Sequence, residues 1–378
     1  MHVLYLNYSY DNRLQTVDDV LKQYHVIPEW CSAVRNAGAT RVTVAQRFSQ
    51  IHSSTYCNVD YHFVKDTLPP RLAWWHNPSS IHNLVSSLSP DVVHLNGAPY
   101  FARSLRPMLK TTTPLLWQFR TSGFPRWRSR WFWKKSLQQT DGAIFTSLAQ
   151  TRRWHEHGLL AAGTVVYEVL PASSTFTPVS YHESRSRLRM NGQTVFLWVG
   201  RLNANKDPLT VLQGFHDFVK TTTSAHLYMI YHETDLLSQV EHTIKQLSLS
   251  NCVHLVGYVP HEQLPEYYSA SDFFVIGSHE EVCGYALIEA IACGSTPIVT
   301  DIPSFRKITG DGSIGFLWEP RNPNSLATAL MTAQQERQER KAVRSFFETH
   351  LSYEQLGKQA LKIYADALVS RSLLNREN

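Results

Sequence analysis

The stretch Gly277–Asp301, GSHEEVCGYALIEAIACGSTPIVTD, decides the fold. The apolar run Asp272-Phe-Phe-Val-Ile276 stands before it and reads as a buried strand. A polar loop follows. A helix is expected from about Gly284 and stops at Cys293-Gly294, and Pro297-Ile-Val-Thr300 begins another strand. Two carboxylates lie inside, Glu281 in the loop and Glu289 in the helix, with seven residues between them. Amides at a helix start point at whatever sits above the preceding strand end, so a strand–loop–helix with a small residue at the turn suits an anion. Acids at such a place serve either as caps or as ligands for hydroxyl-rich groups, because carboxylates make strong charge-assisted hydrogen bonds.

Upstream, the same alternation recurs. Val195–Val199 reads as a strand, Pro208–Lys220 as a helix, Ala225–Ile230 as a strand, Leu237–Leu247 as a helix and Cys252–Val256 as a strand. Gly257-Tyr-Val-Pro260 and a helix over Glu262–Ser269 lead into the opening stretch. Residues 164–182, with two prolines and a Ser/Thr cluster, read as a linker. Before it, strands are expected at His2–Leu6, Arg41–Ala45, Val59–Val64, Asp91–Leu95, Pro114–Phe119 and Gly142–Thr146, with helices over 28–37 and Ile81–Leu88. The expected architecture is two doubly wound α/β halves in tandem. Ligands of such sheets sit beyond the carboxyl ends of the strands.

A chain of 378 residues, 43% hydrophobic and 18% charged, suggests a globular protein of two domains. No apolar run approaches the length of a membrane span. The N-terminus lacks a basic region and a cleavage site, so it reads as a strand and not a signal peptide. Five scattered cysteines make no metal-ligand spacing and fit a reducing cytoplasm. The net charge of +5 is unevenly spread: residues 1–170 carry 18 Lys and Arg against 10 Asp and Glu, and eight of the ten tryptophans. This half suits an anionic surface or acceptor. Its densest part is Arg120–Lys135, RTSGFPRWRSRWFWKK, six basic residues interleaved with Trp127, Trp131, Phe132 and Trp133. Three readings stand: a helix with inward aromatics and solvated arginines, a peripheral membrane contact, or a nucleic-acid contact, the last without a supporting module signature.

Gly200-Arg-Leu-Asn-Ala-Asn-Lys206 follows the first strand of the second half. Arg201 and Lys206, beside a helix N-terminus, would hold a diphosphate, Arg by a planar fork of donors and Lys as a point charge. Alone, such a string is ordinary surface charge. With Glu281 and Glu289 on the same sheet it is more specific.

Together, GRLNANK (200–206), VGYVPHEQLPEYYSASDFFVIGSHEE (256–281) and EVCGYALIEAIACG (281–294) resemble the C-terminal domain of retaining GT-B glycosyltransferases of family GT4. The likeness is specific over about 195–320 and architectural over 1–170. It implies a GT-B fold: two Rossmann-like domains, 1–170 and 171–352, facing a central cleft, with a final helix in 353–378 returning to the first. It implies a nucleotide-sugar donor, no required metal and no cofactor. Carried over, Arg201 and Lys206 would stabilise the departing diphosphate and Glu281 would contact the donor sugar. Glu289 would hold the ribose hydroxyls. Amides near Cys283, Gly284, Tyr285 and Ala286 would hold sugar hydroxyls and the distal phosphate, and Gly257-Tyr258-Val259 would frame the base. For Glu289 a plain solvated helix residue, and for Glu281 a cap, stay open as alternatives. Cys283 and Cys293 also fit as small packing residues.

The first half departs from the family: Asn7–Arg13 contains no glycine, and Arg120 stands where relatives often place a histidine. His94, Asn96 and Arg120 are the acceptor-side candidates, with a core role open for His94. The expected activity is retaining transfer of a hexose-type sugar, UDP favoured as carrier, to a glycan or lipid-linked acceptor. A nucleotide-sugar epimerase or hydrolase and a catalytically silent nucleotide-sugar-binding protein are the alternatives. The expected place is the cytoplasm, with a peripheral position at the inner face of the plasma membrane as an open option.

Overall fold

The computed structural model describes residues 1–120, 124–222 and 224–374. These form two units. One comprises Met1–Ser173 with the helix Tyr353–Leu374, and the other Ser174–Ser352.

The first unit is built on an eight-stranded sheet among the described residues: β1 His2–Asn7, β2 Arg41–Arg47, β3 His52–Tyr56, β4 Val59–Val64, β5 Val92–Asn96, β6 Leu115–Gln118, β7 Gly142–Phe145 and β8 Val166–Glu168. Their order is β3-β4-β2-β1-β5-β6-β7-β8, parallel throughout except for the β3–β4 hairpin. Val3, Leu4, Leu6, Val92, Val93 and Leu95 are buried, as expected of central parallel strands covered on both faces. The order reverses between β1 and β5, a switch point where Asn7 and Asn96 pair through their amides at 3.2 Å.

Two features of this unit differ from the sequence expectation. The segment 164–182 is not wholly a linker: Val166–Glu168 is an edge strand paired with Ala143–Phe145. Three residues are too few to show a period. The polar hairpin strand β3 also gave no apolar signal. Its turn is set by Cys57 and Asn58, both left-handed at φ 49° and 60°, as a two-residue hairpin turn of type I′ requires.

The helix Tyr353–Leu374 packs on the helix Val26–Asn36. Gly357 permits the approach, since a Cβ there would collide with the Ala33 carbonyl oxygen. Tyr364 on this helix reaches His94 of β5, Oη to Nδ1 at 2.7 Å.

The second unit carries a fully parallel sheet: β9 Thr194–Gly200, β10 Ala225–Tyr231, β11 Val253–Gly257, β12 Phe273–Ile276, β13 Thr296–Thr300 and β14 Phe316–Trp318. The order is β11-β10-β9-β12-β13-β14. The chain builds outward from β9 to β11, then returns to lay β12 against β9 and builds the other way. The loops leaving β9 and β12 therefore flank the switch point, where an open α/β sheet binds its ligand.

A buried carboxylate joins this unit together. Asp272, at the start of β12, accepts from the Val195 amide at 2.8 Å, from Tyr181 Oη at 3.0 Å and from Arg185 Nη2 at 3.2 Å, and pairs with Arg337. It thus links β9, the helix Tyr181–Leu188 and the segment before the helix Arg340–Phe346.

Candidate active site

The loop after β9 and the loop after β12 are stitched together. His279 N donates to Asn205 O at 2.9 Å, Glu280 N to Asn205 Oδ1 at 3.1 Å, and Asn205 Nδ2 to Glu280 O at 3.0 Å. One asparagine side chain and its backbone thus hold three rungs between loops 75 residues apart in sequence. His279 Nε2 reaches Asp207 Oδ2 at 2.8 Å, and Asp207 caps the helix Pro208–Val219. At the centre Lys206 pairs with Glu281, both side chains mostly buried. A pair drawn this far out of water needs a fixed geometry to offset its desolvation, and the Asn205 rungs supply it.

The helix Tyr285–Ala292 begins beside this pair. Gly284 is its N-cap in the left-handed region at φ 65°, and no side chain caps that end. A Cβ on Gly284 would stand 2.7 Å from Phe305, so both conformation and space require glycine. Cys283 is buried, and the Tyr285 side chain is exposed.

Glu289 lies one turn further on and is only 9% exposed, which removes the reading of a plain solvated residue. Its Oε2 accepts from Tyr268 Oη at 3.0 Å, and its Oε1 meets His261 Nε2 at 2.8 Å. A carboxylate has about four acceptor positions, so capacity for a diol remains. The hydrogen bond to Glu289 raises the His261 pKa above the ordinary histidine value, against burial, which lowers it. A raised folded-state pKa means that the pair's stabilisation is complete below the unfolded value of about 6.5 and fades as pH rises through the folded value. His261 is more than half exposed, so the effect is screened. In an NMR titration His261 is expected to protonate above about 6.5, and Glu289→Gln to bring its midpoint down. An unchanged midpoint in the variant would show that the pair does not form.

The remaining candidates are less convergent. Arg201 leaves the same loop as Lys206 but points toward the loop after β10, where it faces Glu233 at 3.7 Å with both side chains nearly half exposed. Gly257 ends the edge strand β11 at φ 83°, Tyr258 is 72% exposed and Val259 is buried. A cavity of about 520 Å³ lined by Asp311, Gly312, Phe316, Ser325 and Thr328 takes in none of these residues. Among the described residues no group of three or more His, Cys, Asp or Glu is arranged to hold a metal ion.

Residues 181–346 match the family described as Glycosyl transferases group 1. The matched segment is 166 of the chain's 378 residues. The GT-B fold extends over the whole chain. Sucrose-phosphate synthase from Thermosynechococcus elongatus superposes with a TM-score of 0.73 at 17% identity, covering 98% of this chain and 99% of that one. Anabaena HepE, solved with UDP and glucose, gives 0.68 at 14%, covering 97% and 100%. In sequence, mannosylfructose-phosphate synthase of Agrobacterium fabrum is 30% identical over 154 residues, 39% of this chain and 34% of the relative. The GDP-mannose:cellobiosyl-diphosphopolyprenol alpha-mannosyltransferase of Xanthomonas campestris is 26% identical over 238 residues, 61% of this chain and 60% of the relative. The chain thus spans between a third and three-fifths of the length of these two curated relatives.

All donor-side candidates, from Arg201 to Glu289, fall inside the group 1 segment. Sequence reasoning singled out Lys206, Glu281 and Glu289 by residue type and spacing, and the fold brings the first two into contact. It missed Asn205, Asp207, His279, His261 and Tyr268, whose roles depend on which loops meet. Asn205 and Asp207 flank Lys206 in sequence, and polar residues on both sides of a loop lysine were the available signal.

The three acceptor-side candidates lie in the first unit. His94 is a correction: it is fully buried, stacked on Tyr5 with ring centroids 4.6 Å apart and bonded to Tyr364 and Gln118. Burial holds its pKa down at about 3. It is a neutral core residue. Arg120 is half-buried, with Nη1 donating to Tyr5 Oη at 2.9 Å. Asn96 stands at the β1/β5 switch point, and its Oδ1 has no hydrogen-bond partner.

Proposed function

We propose that this chain transfers a hexose-type sugar, with retention at the anomeric carbon, from a nucleotide-diphosphate donor to a glycan or lipid-linked acceptor. The observation that carries the reading is the Lys206–Glu281 pair, locked by Asn205 at the switch point between β9 and β12. In this reading the anomeric C–O bond breaks as negative charge gathers on the diphosphate. Lys206 and Arg201, with the amides at the start of the helix Tyr285–Ala292, stabilise that charge. Glu281 holds sugar hydroxyls and Glu289 the ribose. The acceptor oxygen attacks the face the diphosphate leaves, and a departing phosphate oxygen takes its proton. Asn96 and Arg120 are the first unit's candidates for the acceptor.

UDP is favoured as carrier, in keeping with the UDP bound to HepE, although the Xanthomonas relative is named for GDP-mannose. A thermal-shift comparison of UDP-, GDP- and ADP-sugars decides it. The correct donor, at about 100 times its Kd, adds about 2.7 kcal/mol and raises the midpoint of the second unit by roughly 5–10 °C. Equal, negligible shifts with all three would overturn the donor assignment.

A further inference from the structure

We propose that an aromatic and basic face of the first unit docks on an anionic lipid bilayer. The face has two sources. One is the turn at Trp74-Trp75. The other is the segment from Trp127 through the helix Arg130–Leu137. Trp74 stacks on Phe132 with centroids 3.7 Å apart and meets Trp75 edge-on at 5.4 Å, and Phe132 meets Trp131 edge-on at 4.9 Å. These four rings form one cluster, yet Trp75 is 66% and Trp131 56% exposed, and nearby in sequence Trp127 is 73% exposed. The helix satisfies its core without them: Trp133, Ser136 and Leu137 are its buried residues. Trp131, Lys134 and Lys135 follow helical spacing on the side away from those residues, and Trp127 stands exposed in the 3-10 turn Trp127–Ser129 that precedes the helix.

The charge along the segment that carries Trp127 and Trp131 has one sign. Residues 92–140 contain nine Lys and Arg and no Asp or Glu. Arg126, Arg128, Lys134 and Lys135 are exposed, and no ion pair among the described residues involves them. Arg106, by contrast, is spent on Asp141. The Trp74-Trp75 turn is closed by Ala73 N donating to His76 Nδ1 at 2.8 Å and His76 N donating to Ala73 O at 3.0 Å, and the segment before it is anchored. Buried Arg47 pairs with Asp66 at 2.7 Å and donates to the carbonyls of Leu68, Pro69 and Pro70. The rings are therefore presented on a fixed base, which lowers the ordering cost of docking. Tryptophan rings favour the headgroup level of a bilayer, and unpaired cations beside them favour anionic headgroups. Exposed rings beside unpaired cations, in a stretch of 49 residues without an acid, match such a surface and not an acidic or neutral protein face.

The test is co-sedimentation of the full chain with vesicles, read without any sugar nucleotide, so it stands apart from the donor reading. Binding is expected to phosphatidylcholine vesicles carrying phosphatidylglycerol, to be weakened by salt, and to be negligible on pure phosphatidylcholine. Trp127→Ala with Trp131→Ala is expected to lose about tenfold or more in affinity, and Arg126→Ser or Arg128→Ser about fivefold each. Thermal unfolding of these exposed-site variants should match the parent. Brominated lipid should quench part of the parent's tryptophan emission and less of the double variant's, a readout that does not depend on sedimentation. Absence of binding to anionic vesicles, or binding indifferent to the tryptophans, overturns the proposal. So does arginine-dependent binding to nucleic acid without binding to vesicles.

Discussion

Replacing Lys206 by alanine is expected to slow sugar transfer about 10²–10³-fold, the loss typical of one fixed electrostatic stabiliser in a desolvated site. The side chain is mostly buried and sits against Glu281. Its removal deletes a cation that the functional reading aims at the leaving group and takes the Lys206 counter-charge away from Glu281. Both effects oppose charge build-up on a diphosphate. The loss should fall mainly on kcat, because the charge it answers is greatest in the transition state. Lys206→Arg should recover only part of the rate, since a planar fork cannot reproduce a point charge in a loop fixed by Asn205. Donor turnover without acceptor should fall in parallel. Transfer retained within about threefold in Lys206→Ala would remove the residue from the mechanism and, with it, the observation on which the functional reading stands.

The largest stability effect is expected at Asp272. Asp272→Ala should destabilise the second unit by about 3–5 kcal/mol, the usual cost of removing one partner from a buried charged network. The carboxylate is 1% exposed and holds Val195 N, Tyr181 Oη and two arginines. Without it, the buried Val195 amide loses its acceptor and the Arg185 guanidinium, 17% exposed, is left with the Ala270 carbonyl at 3.1 Å. Arg337 is half exposed and can turn to water, so its share is small. At about 2–4 °C per kcal/mol, the midpoint should drop by roughly 6–20 °C. Asp272→Asn should cost less, because it keeps an acceptor for the Val195 amide. A midpoint within about 2 °C of the parent for Asp272→Ala would mean that the arginines find other partners at no cost.

What the sequence revealed follows from which forces are local. Strands such as Phe273–Ile276 and Val92–Asn96 were legible because burial on both faces writes an apolar run into consecutive residues. Glu281, Glu289 and Lys206 stood out because two acids and a lysine fall in or just after the loops that leave strands of one sheet, a pattern visible in residue type and spacing alone. The hairpin strand His52–Tyr56 was not, since an exposed edge stabilised by pairing carries no apolar pattern. Asn205 was not, since its value lies in a loop 75 residues away. His94 misled for the same reason in reverse: the residues that bury it, Tyr5, Gln118 and Tyr364, come from three distant parts of the chain. Asp272 looked like a strand boundary and is a hub.

The position of the helix Tyr353–Leu374 also sets an order of assembly. Growing chains ordinarily complete their earlier domain first. Here the residues of the first unit are synthesised in two instalments with the whole second unit between them. Until Tyr364 is made, His94 lacks its buried hydroxyl partner and the face of Val26–Asn36 beneath this helix stays uncovered. Residues 174–352 are complete before that point. On the ribosome the second unit therefore has all its parts first, and the nascent first unit keeps an apolar face exposed for the whole interval, the period in which a chaperone would find it.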